Sequence, residues 1–145
     1  MRAGDSRNLL VVDDEKDILK TMKMCLGGQG LHVQTALNGS EALEIINNHP
    51  VELVITDIRM PNIDGLQLLK LVKEQDDTIQ VIVMTGYTDV KNTEELIDKY
   101  DAAGYLTKPF EDIDQLLEAI NYAFLKRDQA LGRSENTSLT NDNRP

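Results

Sequence analysis

The chain is poor in what several large protein classes require. It has a single cysteine in 145 residues, so no intramolecular disulfide can form and a disulfide-stapled secreted scaffold is excluded. That thiol, Cys25, falls within an apolar helical pattern, where a buried, inert side chain in a reducing cytosol is expected. Basic residues are scarce: 15 Lys and Arg stand against 25 Asp and Glu, a formal net charge of −10. A surface that acidic repels a phosphate backbone, so no direct nucleic-acid partner is expected. No uninterrupted apolar run approaches membrane-spanning length, and the segment Met1-Arg2-Ala3-Gly4-Asp5 lacks the apolar stretch of a signal peptide. A soluble, cytoplasmic protein with no membrane contact is the expectation. There is no internal repeat, and no glycine-rich loop follows the first apolar run to cradle a nucleotide.

What the chain does have is alternation. At 41% hydrophobic and 28% charged residues it can bury one core. Leu9-Leu10-Val11-Val12 forms the first apolar run and stops at Asp13-Asp14-Glu15. Ile18, Leu19, Met22, Cys25 and Leu26 then recur at helical spacing as far as Gly27-Gly28, and the Met22/Met24 pair reads as helix packing. Leu31 to Ala36 mixes polar and apolar residues, as an edge strand would. Asn38 or Ser40 can cap a second helix carrying Ala42, Leu43 and Ile46. Residues 51–56 and 79–84 are further β-branched runs, with a helix bearing Leu68, Leu69 and Val72 between them. A weakly amphipathic fourth helix is expected over about residues 89–100, and a short fifth strand near 102–106. The last helix places Ile113, Leu116, Leu117, Ile120 and Phe124 on one stripe. Residues 1–7 read as a flexible N-terminus, 8–127 as one domain, and 128–145 as a polar tail or linker expected to be disordered.

Five strand–helix alternations predict an α/β fold, a doubly wound five-stranded parallel sheet of the flavodoxin-like (βα)5 kind, because parallel strands need helical crossovers. The continuously apolar runs belong in the centre and the mixed ones at the edges, which predicts strand order 2-1-3-4-5. Ligands in such sheets sit beyond the carboxyl ends of the strands, where the winding reverses between strands one and three.

The polar residues that close the strands converge there. Asp13 and Asp14 end the first strand, Asp57 the third and Thr85 the fourth, while Lys108 follows the fifth. Crowded carboxylates repel one another and raise at least one pKa unless a cation is present. Oxygen ligands without His or Cys suit Mg2+, which keeps several waters and so leaves room for a phosphoryl oxygen. Taken singly each residue has a bland explanation: an Asp pair can cap a helix, Asp57 or Thr85 can form a turn, and a lysine before proline can be a solvated surface group. Their co-location at the ends of neighbouring strands, with complementary charges, favours a site. His32, on the edge strand, and His49, before Pro50, are expected to be passive.

The segments Val11-Val12-Asp13-Asp14-Glu15, Thr56-Asp57-Ile58-Arg59-Met60-Pro61-Asn62-Ile63-Asp64-Gly65, Met84-Thr85-Gly86 and Tyr105-Leu106-Thr107-Lys108-Pro109-Phe110 together resemble the receiver domain of two-component response regulators, over about residues 8–127. The resemblance implies a phosphoprotein switch in a phosphorelay, with Asp57 as phosphoacceptor. It further implies Mg2+ held directly by Asp14 and Asp57, through water by Asp13, and by the backbone carbonyl of Arg59. Lys108 would pair with the phosphoryl group, Thr85 would hydrogen-bond to it, and Tyr105 would follow Thr85 inward as a switch. Pro109 resembles the family's cis-proline. Two departures stand out: about one extra residue between Thr85 and Lys108, and Asp101-Ala102-Ala103 in place of a glycine-containing turn. Arg59 and Tyr87 border the expected phosphoryl site and could shield it from water.

A receiver implies a sensor histidine kinase or a histidine phosphotransfer domain as donor, and a protein as target: a second receiver in a homodimer, or a downstream partner. Such a chain is a signalling switch that catalyses only its own phosphorylation and slow dephosphorylation, and is not otherwise an enzyme. A Mg2+-dependent phosphohydrolase with an Asp nucleophile is the enzymatic rival. It needs a second acidic residue two positions on, where this chain has Arg59. A pseudo-receiver that binds partners without phosphorylation is the other rival, against which the complete acid, Thr and Lys set argues.

Overall fold

The computed structural model describes residues 7–86, 99–108 and 112–132. Five strands, β1 (Arg7–Val12), β2 (Leu31–Ala36), β3 (Leu53–Asp57), β4 (Gln80–Thr85) and β5 (Gly104–Thr107), form one parallel sheet in the order β2-β1-β3-β4-β5. Four helices are seen among the described residues: α1 (Lys16–Gly27), α2 (Gly39–Asn48), α3 (Gly65–Gln75) and α4 (Ile113–Ala130). The helix expected over 89–100 lies, but for its last two residues, outside the described ones, as do Tyr87, Pro109, Phe110 and the segment 133–145.

Side-chain alternation divides the sheet into two cores. Leu9, Val11, Leu53, Ile55, Ile82, Met84 and Leu106 face α1 and α4, meeting Leu19, Met22, Leu26, Leu117, Ile120 and Phe124. Leu10, Val12, Val54, Val81 and Val83 face α2 and α3, meeting Ala42, Ile46, Leu68, Leu69 and Val72. Central β3 and β4 are buried along their whole length, whereas β2 and β5 mix buried, partly buried and exposed positions. That contrast in burial is what their composition required of centre and edge.

Local chemistry sets the helix limits. Asn38 caps α2 by accepting from the Glu41 amide at 2.8 Å. Asp64 and Gln67 make a reciprocal capping box at the start of α3. In α1 the buried stripe is Leu19, Met22 and Leu26. Cys25 lies off that stripe and is exposed, and Met24 is 74% exposed, so neither packs as the sequence suggested. Ile113, expected on the inner stripe of α4, is likewise exposed at the helix's first turn. Helix α4 also continues beyond Arg127 to Ala130, where Asp128 is buried and paired with Arg7 at 3.7 Å. The apolar stripe stops before the helix does, because an ion pair takes over its anchoring.

Candidate functional site

The sheet's alternation aims three charged side chains at one point. Asp13 continues the row Leu9, Val11; Asp57 continues Leu53, Ile55; Lys108 continues Leu106, all toward the α1 and α4 side. Backbone bonds extend the strand ends just far enough to hold them. The Asp13 amide donates to the Ala36 carbonyl at 3.1 Å, Ile58 to Met84 at 3.2 Å, and Lys108 to Thr85 at 2.9 Å.

The Lys108 Nζ then lies 2.8 Å from Asp13 Oδ2 and 3.4 Å from Asp57 Oδ2. Asp13 is fully buried, and its Oδ1 accepts the Glu15 amide at 2.9 Å. Asp57 is 6% exposed, and Asp14 is exposed at the rim. One carboxylate oxygen from each of Asp13, Asp14 and Asp57 lies within 4.8 Å of the others.

Burial pushes the Asp57 carboxyl above its ordinary pKa; the charge of Lys108 works against this and that of Asp13 with it. Burial acts to lower the Lys108 pKa, but its hydrogen bond to Asp13 and the charges of Asp13 and Asp57 outweigh it, and the net shift is upward. Lys108 is thus a firmly protonated cation between two carboxylates. Lys108 meets Asp13 and Asp57, and three carboxylates share the cluster with it. The donors are all hard oxygens, and one of the three carboxylates is open to solvent. That set suits a divalent cation of the Mg2+ type.

The loop after β3 closes tightly over this cluster. The Gly65 amide donates to the Ile58 carbonyl at 2.8 Å. A Cβ at Gly65 would fall onto the Asp57 carbonyl oxygen, so glycine is required for α3 to start so close to the strand end. Asn62 supplies the left-handed residue of the loop, at φ 71°.

The remaining expected residues are placed as follows. Thr85 is buried at the end of β4, next to the Asp57–Met84 register pair. Arg59 is exposed in the loop after β3. Tyr105 on β5 is 41% exposed, facing away from the core. His32 and His49 are both exposed and stand away from the cluster, on β2 and at the C-terminal cap of α2. The direct Lys108–Asp13 pairing is the feature that sequence reasoning missed. Spacing brought the two residues to one edge but could not say which carboxylate the ammonium meets first.

A doubly wound parallel sheet binds its ligands beyond the carboxyl edge, and here the acidic cluster and Lys108 occupy that edge. The family model for the response regulator receiver domain matches residues 9–121, and the chain belongs to that family. Among curated relatives, it is 36% identical to the DNA-binding transcriptional regulator NtrC of Proteus hauseri, over 80% of this chain and 24% of that protein. It is 32% identical to sporulation initiation phosphotransferase F of Bacillus subtilis, over 79% of this chain and 91% of that one. The chain thus spans about a quarter of the length of NtrC, but nearly all of the phosphotransferase. A solved receiver domain protein from Clostridium thermocellum superposes with a TM-score of 0.77 at 34% identity, covering 86% of this chain and 98% of that one. No described helix is long and apolar enough to cross a membrane.

Proposed function

We propose that this receiver takes a phosphoryl group onto Asp57 from the phosphohistidine of a sensor histidine kinase or histidine phosphotransfer domain, in a Mg2+-dependent reaction. The observation that carries this reading is the Lys108 ammonium held between Asp13 and Asp57, at 2.8 and 3.4 Å, within a cluster of three carboxylates. An Asp57 carboxylate oxygen attacks phosphorus, the P–N bond breaks, and the bonding pair and a proton end on the donor imidazole. The product is an acyl phosphate. A carboxylate is a weak nucleophile, so the rate comes from in-line placement and charge neutralisation. A cation held by Asp13, Asp14, Asp57 and the Arg59 carbonyl would supply much of that neutralisation. Lys108 would supply the rest, and Thr85 ends β4, the strand beside the one that carries Asp57. Arg59, two residues after Asp57, removes the general acid that a phosphohydrolase of the rival type would need.

The output on this reading is a change in the face of β5 and α4, joined by the helix that the sequence predicts over about residues 89–100, and it is offered to a protein partner. The NtrC relatives are named as DNA-binding regulators, but this chain aligns to about a quarter of their length, and its own acidic charge disfavours direct contact with a phosphate backbone. Mass spectrometry of protein incubated with a phosphorylated kinase or a small phosphodonor tests the proposal. The acyl phosphate should map to Asp57, and Asp57→Asn should abolish it. Label retained at the wild-type level in that variant would sink the assignment.

A further inference from the structure

Asp101 has a left-handed backbone, with φ 59°, a conformation that glycine adopts freely, aspartate and asparagine tolerate, and other side chains rarely enter. The chain needs it there. Tyr100 is half buried, Asp101 is 70% exposed at its side chain, and Ala102 is completely buried one residue later. The Ala103 amide then donates to the Val81 carbonyl at 2.8 Å, starting the pairing of β5 with β4. Glycine would make this turn without strain, yet the position holds an aspartate.

The aspartate's carboxylate finds Lys73 near the end of α3. The Nζ to Oδ2 distance is 3.6 Å, and the same ammonium donates to the Asp77 carbonyl at 3.2 Å. The Lys73 side chain is only 13% exposed. A half-buried lysine gains from a nearby negative charge, and Asp101 provides it from across the fold. Burial lowers the Lys73 pKa, and Asp101 opposes that shift. Aspartate thus tolerates this turn and also makes an ion pair that glycine could not make.

We propose that Lys73 and Asp101 form a latch that ties the start of β5 to the end of α3. The latch sets how freely β5, which carries Tyr105 and leads into Lys108, moves. Asp101→Asn removes the charge while keeping a residue that tolerates the left-handed turn, and Lys73→Met removes the ammonium while keeping an apolar stem. Amide hydrogen exchange reads the result at Ala103 and Lys108, whose N–H groups are bonded to β4 carbonyls. Each single variant should speed exchange there by about fivefold, the effect of one partly buried ion pair. The double variant should do no more than either single one, and exchange in β1 should not change. Wild-type rates at Ala103 and Lys108 in Asp101→Asn would overturn the latch, as would single effects that simply multiply in the double variant. The phosphoryl reading is tested separately at Asp57, so the two can fail independently.

Discussion

Within the acidic cluster the side chains answer to different charges. Asp14 stands at the rim, where a cation would enter, while Asp13 is buried and already satisfied on one oxygen by the Glu15 amide and on the other by Lys108. On the proposed reading, replacing Asp14 therefore removes a metal oxygen without disturbing the core of the cluster. Replacing Lys108 deletes the one positive charge and makes the pocket more attractive to a cation. Asp14→Ala should weaken Mg2+ binding by tenfold or more, and Lys108→Ala should leave it intact or tighten it while impairing phosphorylation. A spectroscopic Mg2+ titration of the two variants separates the roles. Loss of metal binding in Lys108→Ala with retention in Asp14→Ala would reverse them. The gathering of Asp13, Asp14, Asp57 and Lys108 at one edge was legible from the rule that ligands sit beyond the carboxyl ends of the strands. The pairing of Lys108 with Asp13 was not, since it depends on a side-chain path that spacing does not encode.

At the scale of elements, a short turn offers a test of local chemistry away from the site. Asp76 ends α3, its amide donating to the Val72 carbonyl, and its Oδ1 accepts both the Thr78 amide at 2.9 Å and the Thr78 hydroxyl at 2.6 Å. The hydroxyl bond, partly opposed by burial and helped by the Thr78 amide, holds the Asp76 pKa below its ordinary value. A carboxyl whose folded pKa is depressed contributes stability that is fully present above its unfolded pKa and is lost as pH falls through the folded one. Asp76→Ala should therefore cost about 1 kcal/mol near neutral pH, and the gap to wild type should narrow as the pH drops below the ordinary carboxylate range. Urea unfolding at neutral and acidic pH measures it; a gap that widened in acid would contradict the turn's charge state. The same scale shows why strand order was readable and helix faces less so. Composition distinguishes a strand buried on two sides from one buried on one, as β3 and β2 do. A helical stripe one residue wide leaves Cys25 ambiguous, because it neighbours Leu26 in sequence and sits near Met22 on the helix. The end of α4 was invisible for another reason: Arg7, Asp128 and the Phe124 ring, which lies 4.5 Å below the Arg7 guanidinium, join residues more than a hundred positions apart.

Across the whole molecule the two ends of the sheet are built differently, and this bears on where a phosphoryl signal can travel. At the amino ends of the strands, Glu52 accepts the Asn8 amide at 2.8 Å and its side-chain amide at 3.2 Å, and pairs with Arg127 at 3.2 Å. Arg7 stacks on Phe124 and reaches Asp128. These contacts bind β1, the start of β3 and the last turns of α4 into one anchored end. The carboxyl ends carry the acidic cluster, with β5 at the open edge presenting Tyr105 and the first turn of α4 presenting Ile113 to solvent. A phosphoaspartate adds roughly −1.5 to −2 charges and new acceptor oxygens at that end. On the proposed reading Thr85 reaches those oxygens, and Tyr105, exposed at rest, turns into the space beside it. Hydrogen exchange with Mg2+ and the phosphoryl mimic beryllofluoride should change protection at Lys108, whose amide is bonded to the Thr85 carbonyl, and along β5 into the first turns of α4. The Asn8 amide and the last turns of α4 should be unaffected and serve as the internal control. Unchanged β5 with the mimic shown to be bound would exclude the switch, and equal changes at both ends would mean that the fold loosens as a whole rather than at one face.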